Sequence, residues 1–430
     1  ATPEATGCGG KGRGMKILVL GAGAVGTAAA YYLARDGHEV TVIERHAGPA
    51  CGTSYANGGL VSPGDATAWA SPEALKTFVR GMFNQDLGIK VRLGRDPYLL
   101  AWGLRFLRQC TPARKRANTL PKLRLAFYSR DSINALSEET GIAYDDRRKG
   151  ILYLSRSRES LDAAARNYGF LADHGLPIEI VGPERMAELD PGLAAARRHF
   201  AGAVYSPTDQ TGDSRLFTTL LAAYAGEKLG VDFRYGTVGE GLDIEGDRVR
   251  AVRTDAGLFS ADGIVLAMGP ESGLLGRRHG LDLPIYPVKG YAATIPLEDE
   301  SRGPTMGGAD EDRYVAYSRL GNRLRLSCTA EFTGFDRSFG PENFAVMFRT
   351  AHELFPGAFD EAKAELWAGL RPMMPRSVPV IGRARYSNLY LDTGHGHLGW
   401  TLAAGSGRLL ADLIAGRAPE IDTDGLLYRN

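Results

Sequence analysis

The sequence predicts an α/β fold in which a parallel-sheet domain is assembled from discontinuous segments around an inserted α+β domain with a mixed or antiparallel sheet. Three observations predict it. A strand, a glycine-rich turn and an Ala-rich helix open the chain from residue 16. Strand and helix signals return at 208–275, and a last strand, glycine-rich turn and helix begin at 388. A chain of 430 residues exceeds what one simple core supports, so two domains are the default.

The first strand is the apolar run 16–20, and the helix that follows extends to about Arg35. Asp36-Gly37 makes a turn into a second strand at 39–44. Residues 1–14 are small and glycine-rich, and read as a disordered extension before a natural start at Met15. Between 80 and 205 the chain is rich in Arg, Leu and Ala, with helical spacing at 129–140 and 159–173. The middle block predicts a helix at 216–230, a hairpin about Gly246-Asp247 and a buried strand at 263–267. From 286 to 365 the pattern alternates as strands do, in Tyr314-Val315-Ala316-Tyr317 and at 323–329. The last block predicts a strand at 388–392 and a helix at about 401–415. The expected division is a nucleotide domain at 15–80, 206–285 and 366–430, and a substrate domain at 81–205 and 286–365.

Composition narrows the function. Basic and acidic residues number 51 and 50, which gives no electrostatic reason to expect a nucleic-acid partner. Cys8, Cys51, Cys110 and Cys328 are scattered without a C-x-x-C pair, so neither a metal site nor a disulfide framework is expected, and a reducing, cytoplasmic setting is. No apolar run reaches the ~18–20 residues that cross a bilayer.

Gly21, Gly23 and Gly26 form G-x-G-x-x-G after a strand and at the start of a helix, the context that gives this pattern meaning. The first glycine permits the tight turn, the second admits a pyrophosphate, and the third lets helix and strand pack. Ala24 and Val25 open a helix whose free N–H groups favour phosphate. Glu44 ends the next strand, where a carboxylate can accept from ribose hydroxyls, with Arg45 beside it. The parallel domain is therefore expected to be of the Rossmann type. The cofactor expected is FAD, bound non-covalently, rather than NAD. An NAD-only enzyme needs no late return to the nucleotide sheet, whereas here a buried strand ends at Ala267-Met268-Gly269 and a late strand runs into Gly394-His395-Gly396-His397-Leu398-Gly399-Trp400-Thr401 and a helix. Such a helix start suits the anionic edge of a reduced flavin.

Beyond the turn, several segments resemble the FAD-dependent D-amino-acid dehydrogenases (small-subunit type) of the D-amino-acid oxidase and glycine oxidase superfamily. They are 53–59 with Ser62-Pro63-Gly64, Thr211-Gly212-Asp213, 286–291, Gly369-Leu370-Arg371-Pro372-Met373, and Gly394-His395-Gly396 with 398–401. The resemblance spans Met15 to about Arg417. It implies oxidative deamination of a D-amino acid by hydride transfer from Cα to flavin N5, with electrons passed to a quinone or similar acceptor. It further implies that Arg371 binds the substrate carboxylate and that Tyr314 donates to it. Asn57, Gly58 and Leu60 are expected along the flavin ring, Thr53 and Ser54 at the pyrophosphate, and Val238 at the adenine. Two departures, Met374-Pro375-Arg376-Ser377 and His397, keep a secondary-amine substrate such as D-proline, cis-4-hydroxy-D-proline, sarcosine or an opine as an alternative. A flavin-binding subunit that only relays electrons is the alternative of another class.

His397 titrates near neutrality in water, so it is a candidate to take the amino proton or touch a substrate hydroxyl; a structural histidine is the competing reading. His395 reads as backbone support. Lys289 reads as near the flavin or, more commonly for lysine, solvated. The amphipathic stretch 97–110 fits a core helix better than a peripheral membrane contact.

Overall fold

The computed structural model describes residues 14–74, 89–91 and 96–429. The expected extension and the expected boundary at 80/81 lie outside the described residues.

Ile17, Leu18, Val19 and Leu20 are buried on both sides, as a central parallel strand requires. Their strand, Lys16–Leu20, sits between Gly263–Leu266 and Glu39–Glu44, both parallel to it. Leu389–Thr393 extends the sheet beyond Gly263–Leu266, with Val380–Arg383 antiparallel at that edge, and Asp232–Tyr235 forms the other edge. The sheet thus draws strands from three separated parts of the sequence. On one face the helices Ala24–Arg35, Ser214–Leu229 and Gly399–Ile414 share a core with Val19, Val42 and Val265. On the other, Leu242, Val249 and Val252 of an antiparallel three-stranded layer pack on Leu18, Leu20 and Leu266.

Among the described residues the second sheet has nine strands. Glu365–Met373, Tyr286–Pro296, Arg323–Phe332 and Val315–Leu320 run antiparallel in that order, and Gly307–Asp310 then pairs parallel with Ile151–Ser155. Tyr291, Ile295, Leu324 and Leu326 bury one face under the helix Ala345–Leu354. The strand Glu365–Met373, expected from 366 onward with the last nucleotide segment, joins this sheet through nine paired residues of Tyr286–Pro296, from Tyr286–Met373 to Thr294–Glu365.

Several element bounds differ from the sequence reading for identifiable reasons. Asp213 caps its helix by accepting from Arg215 N at 2.9 Å and Leu216 N at 3.1 Å, which moves the start to Ser214. The helix expected at 129–140 runs over Pro112–Thr140, straight through Pro121. A proline inside a helix costs about 3 kcal/mol, and burial of the apolar Leu123, Leu125 and Ala126 just after it offsets that cost. This helix lies on Gly399–Ile414, where Gly405 N donates to Ser129 Oγ at 2.9 Å. In the helix Pro97–Leu107, Trp102 and Phe106 enter an aromatic cluster with Tyr286 and Phe332, while Leu100, Leu104 and Leu107 face outward. Among the described residues, no helix is long and apolar enough to cross a membrane.

Candidate active site

A cavity of about 690 Å3 is lined from both sheets, a volume typical of small-molecule and cofactor sites. At its nucleotide end Gly21 has a φ of 107°, and a Cβ on Gly26 would overlap the Gly21 carbonyl. Both positions therefore need glycine. Gly23 is the N-cap of Ala24–Arg35 with no side-chain cap, so the positive end of that helix is left to a ligand. Ala24 N donates to Ser54 Oγ at 3.0 Å. Glu44 accepts from Ala22 N at 2.8 Å and His46 N at 2.9 Å, which fixes its carboxylate with lone pairs to spare. Arg45 pairs with Glu271 at 2.6 Å, and Arg337 reaches the same carboxylate at 3.6 Å.

Of the expected cofactor contacts, Gly21, Gly23, Ala24, Val25, Glu44, Arg45, Thr53 and Ser54 line this end of the cavity. Asn57, Gly58, Leu60, Val238, Ala267, Gly269, Gly396, Leu398, Gly399 and Trp400 also line it. Gly26 and Thr401 do not. Gly26 is taken up by the turn, and Thr401 Oγ1 donates to Leu60 O at 3.2 Å and accepts from Ser62 N at 3.1 Å. Val238 N already donates to Asp255 Oδ1, at 2.8 Å. Thr53 Oγ1 donates to Leu370 O at 2.7 Å, tying its segment to the strand that carries Arg371.

A dinucleotide fits these walls. The helix Gly399–Ile414 also starts without a side-chain cap, and the indole N–H of Trp400 in its first turn is buried without a partner among the described residues. Such a donor is costly to leave unmet. Arg325, a residue the sequence reading passed over, is buried beneath the same region. It donates to Asn57 O and Thr294 Oγ1, both at 2.8 Å, and so sets the path of 57–59. Nothing local in the strand pattern distinguishes it from an outward-facing arginine.

Arg371, Tyr314 and His397 line the other end of the cavity. Arg371 pairs in register with Val288, and its Nη1 donates to Thr329 O at 2.6 Å. Burial lowers its pKa while Asp65 opposes that shift, leaving a charged fork suited to a carboxylate. Tyr314 is not a core residue. It stands on the cavity wall, 44% exposed, with a φ of 56°. His397 stacks on Trp69 with ring centroids 4.9 Å apart, and its Nε2 lies 3.3 Å from Asp65 O and 3.5 Å from Asp65 Oδ2. Burial, then the charges of Lys122 and Arg371, hold its pKa well below the ordinary 6.5, so the ring is neutral. Asp65 O can only accept, so Nε2 carries the ring hydrogen and the lone pair lies on Nδ1, which is buried without a partner among the described residues.

Asp65 and Lys122 are the charged residues the sequence reading missed here. Asp65 directly follows the Ser62-Pro63-Gly64 segment, on the one-turn helix Pro63–Asp65. Half of its side chain faces the cavity, whose walls replace bulk water around it. Burial raises its pKa to about 6, against the pull of Lys122 and Arg371. Lys122 is buried in the helix Pro112–Thr140 and donates to Thr67 O at 2.9 Å. Burial lowers it to about 8, with Asp65 opposing.

Other expectations change. Lys289 is neither solvated nor on the cavity wall: it is buried, bonded to Asp336 at 3.1 Å and Ser338 O at 3.0 Å, with Glu331 at 3.7 Å. A buried ammonium requires such partners. Arg376 turns from the cavity to Asn118, at 3.2 Å, so it gives no support to a secondary-amine substrate. His395 is structural, 3.1 Å from Ser406 and 3.3 Å from Asp392.

Comparison with known proteins bears on this arrangement. The family described as "FAD dependent oxidoreductase" matches residues 16–413. D-amino acid dehydrogenase 2 of Mesorhizobium japonicum is 74% identical over 414 residues, covering 96% of this chain and all of that protein. D-amino acid dehydrogenase of Paramagnetospirillum magneticum is 44% identical, covering 96% of this chain and 98% of that one. The crystal structure of glycine oxidase from Geobacillus kaustophilus superposes with a TM-score of 0.74 at 24% identity, over 97% of this chain and all of that one.

Proposed function

The chain belongs to the family of FAD dependent oxidoreductases, and from that premise we propose that it is a D-amino acid dehydrogenase whose substrate lies between Arg371 and Asp65. FAD is its cofactor, and when bound it supplies the electron acceptor, so the protein's task is to hold, orient and deprotonate. The reaction oxidises the substrate at Cα, and the resulting imine hydrolyses to a 2-oxo acid and ammonia.

The observation that carries the reading is the pairing of opposite charges on one cavity wall. Arg371 binds the carboxylate through its fork. Asp65, within electrostatic reach of Arg371, attracts the ammonium. Neutral His397, its Nε2–H turned to the Asp65 carbonyl at 3.3 Å, keeps a bare Nδ1 to take the amino proton that must leave before hydride can. Tyr314 closes the wall on the solvent side and donates to the carboxylate. Gly21, Gly23, Ala24 and Val25 hold the pyrophosphate, Glu44 the ribose, and 57–60 with 396–400 the flavin ring.

Electrons leave to a quinone or a similar acceptor. The outward row Leu100, Leu104 and Leu107, flanked by exposed Arg105 and Arg108, supports a peripheral contact with an anionic membrane that would hold such an acceptor.

The test is an anaerobic titration of the yellow protein with D- and L-alanine, D-proline and sarcosine, followed by the absorbance near ~450 nm where oxidised flavins absorb. Bleaching by D-amino acids is expected, with ammonia released stoichiometrically from D-alanine and none from D-proline, whose product is a cyclic imine. Bleaching by sarcosine alone, or by nothing, would overturn the proposal.

A further inference from the structure

Resting on the reading of His397 as the group that takes the amino proton, we propose that Ser377 is a positioning residue for that step. Its hydroxyl fixes Trp69, and Trp69 fixes the plane of the His397 ring.

Side chains from elsewhere in the fold hold the backbone of segment 62–69. Thr401 Oγ1 accepts from Ser62 N at 3.1 Å, and Asp209 Oδ2 accepts from Gly64 N at 3.1 Å. Lys122 Nζ donates to Thr67 O at 2.9 Å, and Thr119 Oγ1 accepts from Ala68 N at 3.0 Å. Ser377 Oγ completes the series by accepting from Trp69 N at 3.1 Å. Of these five, Ser377 alone stands on left-handed backbone, at a φ of 60°. It ends a tight turn with Pro375 in second place, in which Ser377 N donates to Met374 O at 2.9 Å. The last place of such a turn favours glycine, and a serine there carries strain that glycine would not. What serine adds is the hydroxyl, and that hydroxyl meets Trp69 N.

From Trp69 the constraint reaches the reacting atoms. Its indole lines the cavity and stacks on His397, with centroids 4.9 Å apart and ring planes inclined by 26°. The ring torsion of a histidine is soft, so the single hydrogen bond from Nε2–H to Asp65 O leaves the ring free to tilt. The indole face removes that freedom and fixes where Nδ1 points. In the step it serves, an N–H bond of the substrate ammonium breaks as one forms at Nδ1. Asp65 Oδ2, 3.5 Å from Nε2, meets the charge that the ring acquires. The same turn braces the segment that carries His397. A Cβ on Gly394 would meet Met374 Cγ at 2.7 Å, and one on Gly396 would meet Met373 Sδ at 3.0 Å. The two departures from the family pattern, 374–377 and His397, thus meet through Trp69.

The experiment follows anaerobic single-turnover bleaching of the FAD-loaded protein by D-alanine, beside the Tm of the flavin-free protein, in Ser377→Gly, Ser377→Ala, Ser377→Thr and His397→Gln. Glycine and alanine both lose the hydroxyl, so the limiting rate should fall roughly 10-fold in each, the effect of a base loosened but not removed. The D-alanine concentration for half-maximal rate should hold, because Arg371 is untouched. Ser377→Gly should nevertheless be more stable than Ser377→Ala, since glycine suits the backbone. Ser377→Thr keeps the hydroxyl on backbone still less suited to it, so it should lower the Tm and retain the rate. Rates that follow the Tm across the three variants would overturn the proposal, as would an unchanged rate in Ser377→Gly. If His397→Gln slows bleaching and Ser377→Gly does not, this assignment falls and the reading of His397 stands. If His397→Gln bleaches as fast as the wild type, the reading of His397 falls and this one with it.

Discussion

Gly290 lies directly beneath the guanidinium of Arg371: a Cβ at this position would overlap its central carbon and both terminal nitrogens. The two residues sit on adjacent antiparallel strands, Tyr286–Pro296 and Glu365–Met373. The missing side chain leaves the bed on which the fork rests, and Thr329 O holds one of its nitrogens from the far side.

Gly290→Ala should therefore displace the fork without touching the nucleotide turn. Flavin content should stay at one per chain while KM for D-amino acids rises at least roughly 10-fold, the loss of one charged hydrogen bond. Steady-state kinetics beside a flavin-to-protein absorbance ratio checks this, and loss of flavin would show that the strand itself had moved.

Removing the fork outright tests the same contact more severely. Arg371→Ala forfeits charged hydrogen bonds worth about 1.5–3 kcal/mol each, roughly a 10- to 100-fold fall in kcat/KM per bond. Arg371→Lys keeps the charge and loses the bidentate geometry, so it should fall between the two. Unchanged kcat/KM in Arg371→Ala would remove the carboxylate assignment.

The glycine turn makes a separable prediction. Gly26→Ala drives a methyl into the Gly21 carbonyl, so it should lower the Tm of the flavin-free protein and abolish flavin retention. At Gly23 a new Cβ would meet nothing nearer than Ser54 Oγ, at 3.3 Å. Gly23→Ala should leave the flavin-free Tm nearly unchanged and weaken flavin binding alone. Calorimetry of both variants with and without FAD separates packing from cofactor approach.

Asp65 supplies a pH dependence. Its carboxyl titrates near about 6 and is neutral below that. The attraction for the substrate ammonium is therefore present above about pH 6 and lost as pH falls through it, giving kcat/KM an acid limb. Asp65→Asn should abolish that limb. Lys122→Met removes a cation that favours the carboxylate, so the limb should move to higher pH. An acid limb that persists unaltered in Asp65→Asn would assign it to another group.

Much of this was legible locally. The first strand, the glycine turn and the strand Glu39–Glu44 follow from neighbours in sequence, and their bounds coincide with the expected ones. The segment of Arg371 has a recognisable pattern, and the residue lies on the cavity wall. Asp65 and Lys122 were not, since each is ordinary in its own stretch and their pairing exists only where the 62–70 segment crosses the long helix. The helix itself was half hidden by Pro121, whose cost is recovered through contacts no local pattern reveals. Lys289 was misplaced for the converse reason: the prior for lysine is solvent, and the partners that bury it come from residues 331–338.

The central strand has a bearing on biosynthesis. Lys16–Leu20 leaves the ribosome long before its neighbour Gly263–Leu266, and the next strand out, Leu389–Thr393, follows later still. Until then the glycine turn has no floor, and the nascent chain carries an apolar strand without a parallel neighbour on one side. Completion of the sheet must wait until residues 389–393 have been made, a high-contact-order step that is slow and exposed to aggregation. Capture of FAD by the finished site should therefore follow synthesis of that strand, and flavin supply during expression should govern how much of the chain survives as enzyme.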